Sequence, residues 1–499
     1  MRSNLKDSRN SASLIAALFL SVIWVQPAHA QPQDTRTQDI QQLKDRLQQL
    51  EQTMGEVKGR LAALESQPSS QNSAAGVGNS NNGPNDTLVS SVVNSFDPNT
   101  GTHAAALPPV GGHSGQADPK RSGSESTMDI YGFVMTDAIY DFGQEDPDWA
   151  DVLRPTKLPA FANEFGPNGQ AYFSVKQTRF GVKTSTPTSL GDLKTIFEFE
   201  LFGTGVDAGQ TTFRLRHAWG ELGQFGAGQT WSPFMDINVF PNSIEYWGPN
   251  GMVFFRNVQV RWTPIKTEHN TFMIAAERPG ASADQGVYSG RIELANITPQ
   301  FILPDLSMQG HFDRKWGYFQ IASMFRRIAW VDNLATPTRD FSGSAFGWGI
   351  NASSNLKFGE KTTGRLQLVY GHGVQNYMND APFDIGVQNQ FSNTKTPIKG
   401  VALPLLGAVA FVDHNWSPKF SSAFGGSMVN IWNSDGESPS DFHQGYYALT
   451  NLLYYPIKNV MAGGEFQYGR RVNFLNGYNF NDYRVQFSFK YSYGKTFAF

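Results

Sequence analysis

Basic side chains recur two or four positions apart in the first half of the sequence. The pairs are Arg179 with Lys183 and Arg214 with Arg216, and Arg261 follows later. Residues at such spacings lie on one face of a β-strand. A guanidinium group binds carboxylates and phosphates, and grouped cations repel one another unless an anion lies between them. These residues therefore indicate reversible binding of anions. The alternative is that each arginine only braces the wall that carries it.

The sequence contains few features of an enzyme that makes or breaks covalent bonds. The motifs G-x-S-x-G and H-E-x-x-H are absent, and the nine histidines are scattered. Cysteine is also absent, which excludes disulfide bonds and thiolate metal sites. The formal net charge of −3 shows no bias toward nucleic acid. We therefore expect no enzyme activity, no cofactor, no metal site and no nucleic-acid partner.

The segments that carry these cations have the pattern of β-strands with one apolar face. About 16 segments between residues 128 and 499 place large apolar residues at alternate positions, and short and long connections follow one another in turn. The last segment, Tyr483 to Phe499, shows the pattern best. Its outer set is rich in Phe and Tyr, which is typical of a membrane interface and less so of a soluble β-sandwich.

This alternation predicts the fold class. In hydrocarbon every backbone N–H and C=O must be paired, so a sheet can span a membrane only when it closes on itself. We therefore predict an all-β protein, a closed antiparallel transmembrane β-barrel of about 16 strands. Strict alternation places the five cations named above in the lumen. It places Leu215, His217 and Trp219 on the outer face.

Three segments precede the predicted barrel. Residues 1–30 have a basic start, an apolar run of about 14 residues and an Ala28-His29-Ala30 site, which is typical of a cleaved signal peptide. Residues 31–65 carry a heptad stripe that predicts a helical coiled coil. Its core positions are Ile40, Leu43, Leu47, Leu50, Met54, Val57, Leu61 and Leu64. These core residues are compatible with a coiled coil of either two or three helices. Residues 66–127, rich in Ser, Asn, Gly and Pro, are predicted to be a disordered linker.

Two stretches of the barrel segment resemble a known family. They are RFGVKTSTPTSLGDLKTIFEFE (residues 179–200) and TTFRLRHAWGELGQFGAGQTWSPF (residues 211–234). These stretches are similar to the DcaP-type porins of Gram-negative bacteria, within the superfamily of trimeric porins. The opening IYGFVMTDAIYDFG, the segment GGEFQYGRR and the terminal Phe499 fit the same family.

The resemblance implies a homotrimer in the outer membrane, with an N-terminal periplasmic segment, that takes up small anionic solutes such as dicarboxylates. It also implies that the third extracellular loop, Met235 to Phe255, folds into the channel opposite a basic wall. The loop residues that we select are Asp236, Asn242, Glu245, Tyr246 and Asn250. The wall residues are Arg179, Arg214 and Arg216, with Arg256 and Arg261 as additions. The loop departs from the family pattern because it is aromatic and amide-rich rather than densely acidic.

A barrel of about 16 strands is wide enough to keep an aqueous channel. The sequence thus favours passive diffusion of small hydrophilic, preferably anionic solutes, selected by the lumen arginines. A structural alternative remains open. In that alternative the coiled coil reaches the cell-wall layer and the barrel is only an anchor in the outer-membrane lipid.

Overall fold

Antiparallel strands make up most of residues 125–499, which are the residues that this computed structural model describes. The predicted signal peptide, the coiled coil and all but the last residues of the linker lie outside the described residues. The strands are β1 (Thr127–Asp141), β2 (Gln170–Ser174), β3 (Arg179–Thr188), β4 (Gly191–Phe202), β5 (Thr211–Leu222), β6 (Phe225–Trp231), β7 (Arg256–Lys266), β8 (Asn270–Glu277), β9 (Ile297–Gln300), β10 (Asp305–Arg314), β11 (Gly317–Asp332), β12 (Gly343–Phe358), β13 (Thr362–His372), β14 (Ile385–Asn389), β15 (Ile398–Ala402), β16 (Pro404–Ser417), β17 (Phe420–Ile431), β18 (Phe442–Tyr454), β19 (Val460–Asn473) and β20 (Asn479–Ala498). Short 3-10 helices lie at Pro147–Trp149, Pro155–Lys157, Gly205–Asp207, Ile237–Val239, Gly286–Tyr288, Ile292–Leu294 and Gln375–Tyr377.

The first and last strands close the sheet into a barrel. β1 pairs with β20 along its whole length, from Thr127 opposite Ala498 to Asp141 opposite Arg484. β2 and β3 pair with successive parts of the same strand, β1, and together they fill one position in the wall. In the same way, β9 and β10 pair with successive parts of β11 and fill one position. β14 and β15 form a separate hairpin. The wall therefore has 16 antiparallel positions, and the predicted fold class is confirmed.

Short turns join the strands at one end of the barrel, and long loops join them at the other. The turns include residues 223–224 and 359–361, where Gly223 and Gly359 have φ values of +59° and +70° that favour glycine. We number the long loops in chain order. L1 is residues 142–169, L2 is 203–210, L3 is 232–255, L4 is 278–296, L5 is 333–342, L6 is 373–403, L7 is 432–441 and L8 is 474–478. Residues 125–499 contain no helix long and apolar enough to cross a membrane.

The outer face of the barrel carries the predicted aromatic residues. On β20, Phe487 and Phe489 are 58% and 54% exposed, whereas Gln486 and Ser488 between them are buried. This alternation puts apolar side chains toward lipid and polar ones toward the lumen, as a spanning barrel requires.

One irregularity in the wall overturns part of the predicted alternation. Between β4 and β5, Glu198 lies opposite His217 and Phe199 lies opposite Leu215, so β5 carries one extra residue. A β-bulge of this kind reverses the side-chain order beyond it. His217 is therefore buried and contacts Thr230, and Trp219 lies under the Arg261 guanidinium, 4.9 Å from it. The prediction that His217 and Trp219 face outward was wrong.

The interior is apolar on one side. Inward residues of β13, β16 and β17, among them Val369, Leu405 and Val429, pack against L3 and L6 in one hydrophobic cluster. The inner faces of β3, β4, β5 and β20 carry mainly charged and amide side chains instead. L3 and L6 are thereby fixed to the apolar side, and the charged side carries the predicted wall residues.

Candidate functional site in the barrel interior

Four arginines surround two glutamates on neighbouring strands of the wall. The arginines are Arg179 on β3, Arg214 and Arg216 on β5, and Arg256 on β7; the glutamates are Glu198 and Glu200 on β4. We call these six residues the charged wall. All six side chains are buried. The charged wall has two more guanidinium groups than carboxylates, so it carries an excess of positive charge.

Glu200 is the centre of the charged wall. Its carboxylate accepts hydrogen bonds from Arg214 Nε at 2.9 Å and Arg216 Nη1 at 2.7 Å. Arg179 Nη2 is 3.2 Å away and Arg256 Nη2 is 3.8 Å away. A buried charge is tolerated only when it is paired and hydrogen-bonded, and Glu200 meets both conditions.

Glu198 extends the same network toward β1. It accepts a hydrogen bond from Arg216 Nε at 2.6 Å and one from the Tyr131 hydroxyl at 2.7 Å. Arg179 Nε is 3.7 Å from it. The bulge on β5 lets Arg216 reach both glutamates, because the extra residue turns this strand locally.

The two glutamates are functional residues that the sequence interpretation missed. The sequence analysis attributed the grouping of the arginines to an anion bound from solution. In the structure, Glu198 and Glu200 supply two carboxylates from the next strand. The signal was present in the stretch Phe197-Glu198-Phe199-Glu200, where alternation sends both acids inward with the arginines. The arginines thus also brace the wall, which was the alternative reading.

Two predicted wall residues lie apart from this network. Lys183 is exposed, nearer the short-turn end of β3, with Nζ 4.9 Å from the centre of the Tyr131 ring. Arg261 on β7 is half-buried and donates from Nε to Gln259 Oε1 at 3.1 Å. The strands bring these two cations to the inner face but not to Glu200.

L3 enters the barrel and contacts strands around much of its wall. Asp236 accepts hydrogen bonds from Tyr318 on β11 and Ser353 on β12, each at 2.7 Å. The backbone N–H of Asn242 donates to Asp413 Oδ1 on β16, at 3.2 Å.

The later part of L3 reaches the charged wall and the opposite side. The Tyr246 hydroxyl accepts from Arg214 Nη2 at 2.5 Å, and its ring stacks on Phe202 at 4.1 Å. Asn250 Oδ1 accepts from the Ser427 hydroxyl on β17 at 2.6 Å. L3 therefore touches the charged wall directly through Tyr246, and its acids lie against other strands.

Glu245 joins L3 to L1 and to the wall. Its carboxylate accepts from the backbone N–H groups of Leu153 in L1 at 3.1 Å, Trp247 at 3.0 Å and Gly248, and from the Tyr447 hydroxyl at 3.4 Å. The pKa of Glu245 is raised to about 7, mainly by burial and also by the nearby Glu465, while the backbone donors oppose the shift.

The stability of the barrel is expected to depend on the titration of Glu245. The folded-state pKa lies above the unfolded value of about 4.3, so folding strengthens proton binding. This stabilisation is complete below about pH 4 and is lost as the pH rises through about 7, by up to about 4 kcal/mol. Glu245→Gln cannot titrate, so its free energy of unfolding should fall less than that of the wild type between pH 4 and pH 8. Parallel curves for the two proteins would contradict the assignment.

A second junction links three loops. The Arg154 guanidinium of L1 lies 4.0 Å from the Trp149 ring and 4.3 Å from the Trp247 ring of L3. Arg154 Nε donates to Asp380 Oδ1 of L6 at 3.0 Å, and the Trp247 indole donates to the Asn379 carbonyl at 2.7 Å. We call the set of Trp149, Arg154, Trp247 and Asp380 the loop junction.

A buried acidic group lies where L1 leaves β1. The carboxylate oxygens of Asp141, Glu145 and Asp482 lie within 4.8 Å of one another. Arg484 Nη2 donates to Asp141 and to Glu145, each at 2.8 Å. Burial raises the pKa of Glu145 well above its usual range, while Arg484 opposes that shift. Carboxylates are ligands that hard cations prefer, but here the arginine already supplies a countercharge.

Together the fold and this interior define the class of protein. A closed antiparallel barrel with an aromatic outer face and a charged, loop-lined interior is a transmembrane β-barrel of the bacterial outer membrane. A family model described as "DcaP outer membrane protein" matches residues 98–492. The chain belongs to this family of outer-membrane porins.

A solved structure of this family has the same fold, and other outer-membrane barrels are similar at lower TM-scores. The outer membrane channel DcaP of Acinetobacter baumannii has a TM-score of 0.61 at 20% identity, over 74% of this chain and 99% of that chain. The anion-selective porin from Comamonas acidovorans has a TM-score of 0.47 at 10% identity, over 74% and 100%. OmpT of Vibrio cholerae has a TM-score of 0.45 at 11% identity, over 76% and 100%. A comparison with curated protein sequences gave no match.

Proposed function

We propose that this protein is a passive channel for small hydrophilic solutes with a preference for anions, dicarboxylates among them. The observation that carries the proposal is the excess of guanidinium groups over carboxylates in the charged wall. Because these side chains are buried, they act on a passing solute through their field rather than through contact. Lys183, which is exposed on the same side, adds to that field.

The expected size of the effect suits a channel. Two unit charges 8 Å apart interact by about 2 kcal/mol at an effective dielectric constant of 20. Since about 1.4 kcal/mol is tenfold in occupancy, such a field biases traffic severalfold or more. It is too weak to trap the solute, and conduction requires that binding be weak enough for release.

Replacing Arg256 by Gln should reduce the anion preference without unfolding the wall. Arg256 lies 3.8 Å from Glu200, which keeps its closer partners Arg214 and Arg216. The measurement is the reversal potential of the purified channel in a planar bilayer under a salt gradient. We expect the wild type to favour chloride over potassium and Arg256→Gln to favour it less.

The matched control is Arg327→Gln, because Arg327 is exposed on β11 next to the inward-facing Arg326. This change should leave the reversal potential as it is. An unchanged reversal potential in Arg256→Gln and in the triple replacement of Arg179, Arg214 and Arg216 by Ala would refute the role of the charged wall. Current blockade by mono- and dicarboxylates and by neutral sugars would then identify the solute class.

A second candidate function is a structural anchor, and the packing of the interior favours it. Phe234 and Met252 of L3 and Tyr377 of L6 are buried in one apolar cluster inside the barrel. If this packing closes the lumen, the protein holds its N-terminal segment at the outer membrane without substantial transport. Stepwise conductance in a planar bilayer supports the channel, and its absence supports the anchor.

The assembly is also part of the proposal. We expect a homotrimer in outer-membrane lipid, with residues 31–65 as a periplasmic coiled coil near the cell wall. The resemblance to trimeric porins and the heptad stripe support this arrangement. The mass of the protein in a detergent of known micelle size tests it.

A further inference from the structure

A cavity of about 150 Å³ lies among L4, L5 and L6, at the long-loop end of the barrel. Its wall consists mainly of Ile297, Ile328, Trp330, Phe341, Ile385 and Val387. Several of these side chains belong to a small hydrophobic cluster that is separate from the one inside the barrel. The cavity is thus a feature of the loop region and does not belong to the charged wall.

The polar groups on the cavity wall are engaged within the protein. The Ser282 hydroxyl donates to Asn376 Oδ1 at 2.9 Å, and the Gln285 amide donates to the Leu294 carbonyl at 3.1 Å. Asp284 interacts with Asp441 of L7. Hydrogen bonding at the wall therefore requires no polar ligand, and the Asp284 carboxylate disfavours an anionic one.

The walls of the cavity are held apart by contacts on two sides. Ala283 of L4 forms a β-bridge with Ile385, and the Ser282 N–H donates to Asp384 Oδ2 at 3.0 Å. Arg326 on β11 donates to Asp384 Oδ1 at 2.8 Å, which ties the β14–β15 hairpin to the barrel. These bonds resist the collapse of the hairpin into the cavity.

The indole of Trp330 is also fixed. Its Nε1 donates to the Phe341 carbonyl at 2.7 Å, so the ring forms a rigid part of the wall. Phe301 contributes to the lining and is 43% exposed, which gives the cavity an apolar rim. A mainly apolar cavity of about 150 Å³ has room for a guest of the size of benzene.

We propose that this cavity is a binding site for a small uncharged aromatic group, of the size of one six-membered ring. The lining supplies apolar contact and an aromatic partner in Trp330, and aromatic rings favour offset or edge-to-face contacts with such a partner. The proposal does not depend on the passage of ions through the barrel.

The test is fluorine NMR of the whole mature protein in lipid nanodiscs, with 5-fluorotryptophan in place of its tryptophans. Trp330→Phe assigns the Trp330 signal. Toluene is the probe. We expect a saturable shift of the Trp330 signal, whereas Trp432, which is exposed at the same end and does not line the cavity, should not shift. Signals of both residues that move together in proportion to toluene would show partition into lipid and would overturn the proposal.

Two variants that fill the cavity complete the test. Ala283→Leu and Val387→Phe add volume at two different parts of the lining. Each should raise the apparent dissociation constant for toluene at least tenfold. The heat-dependent gel mobility of the barrel checks that each variant is folded. An unchanged response in a folded variant would overturn the proposal, as would a Trp330 response to n-heptane without one to toluene, which would assign the cavity to an alkyl chain.

Discussion

Replacing Glu200 by Gln is expected to lower the free energy of unfolding of the barrel by about 3–5 kcal/mol, because it removes the central anion of the charged wall. The Glu200 side chain is fully buried and lies within 3.8 Å of four guanidinium groups. After the change, Glu198 alone would face Arg179, Arg214, Arg216 and Arg256. Urea unfolding in detergent, followed by tryptophan fluorescence, measures the loss.

A control on the neighbouring strand separates this effect from the loss of any ion pair. Glu221 on β5 pairs with Lys266 at 2.7 Å, but both side chains are partly exposed. Exposed pairs contribute about 1 kcal/mol or less, so Glu221→Gln should have a small effect. Equal losses in the two variants would show that Glu200 is not the centre of the network.

The same variant should respond to added anions. With Glu200 neutral, the guanidinium groups of the charged wall lack their central countercharge, which favours an external anion, and a ligand that binds the folded state raises stability. Sulfate should therefore stabilise Glu200→Gln more than it stabilises the wild type, at matched ionic strength. No difference between sulfate and chloride would argue that the wall is closed to anions.

Much of the fold follows from the sequence. From Phe487 to Tyr493 every second residue of β20 is aromatic because one face of the strand meets lipid, and the pattern requires no tertiary information. The same rule placed Arg179, Arg214 and Arg216 inside. It failed at His217, because a bulge depends on the partner strand β4, and period-two counting on β5 alone cannot detect it.

The interior could be predicted only in part. The resemblance to porins implied that residues 235–255 fold into the channel; in the structure Asn242, Asp236 and Asn250 of this loop hydrogen-bond to β16, β11 and β17. Contacts between L3, L1 and L6 join residues more than 90 positions apart, such as Leu153 with Glu245 and Trp247 with Asn379. Local patterns contain no information on such contacts. The pairing of the arginines with Glu198 and Glu200 was accessible, but it required the register of two strands.

Replacing Arg154 by Ala is expected to raise the single-channel conductance and the noise of the open channel. Arg154 holds the loop junction together, because its guanidinium lies between Trp149 of L1 and Trp247 of L3 and bonds to Asp380 of L6. Its loss leaves the Asp380 carboxylate buried without its cation, which costs about 3–5 kcal/mol. A cost of that size increases the population of displaced loops at least a hundredfold.

Matched variants show whether the junction itself sets the conductance. Arg291→Ala removes a cation of L4 whose pair with Glu293 is partly exposed and lies outside the junction, so it should leave the conductance at the wild-type value. Arg154→Lys should be intermediate, since an ammonium group keeps the charge but lacks the planar group that stacks on two indoles. Asp380→Asn added to Arg154→Ala should restore part of the lost stability without restoring the narrow channel. If Arg154→Ala conducts like the wild type, L3 is held by its other contacts, those of Asp236, Asn242 and Asn250 with the barrel wall, and the loop junction does not control the passage.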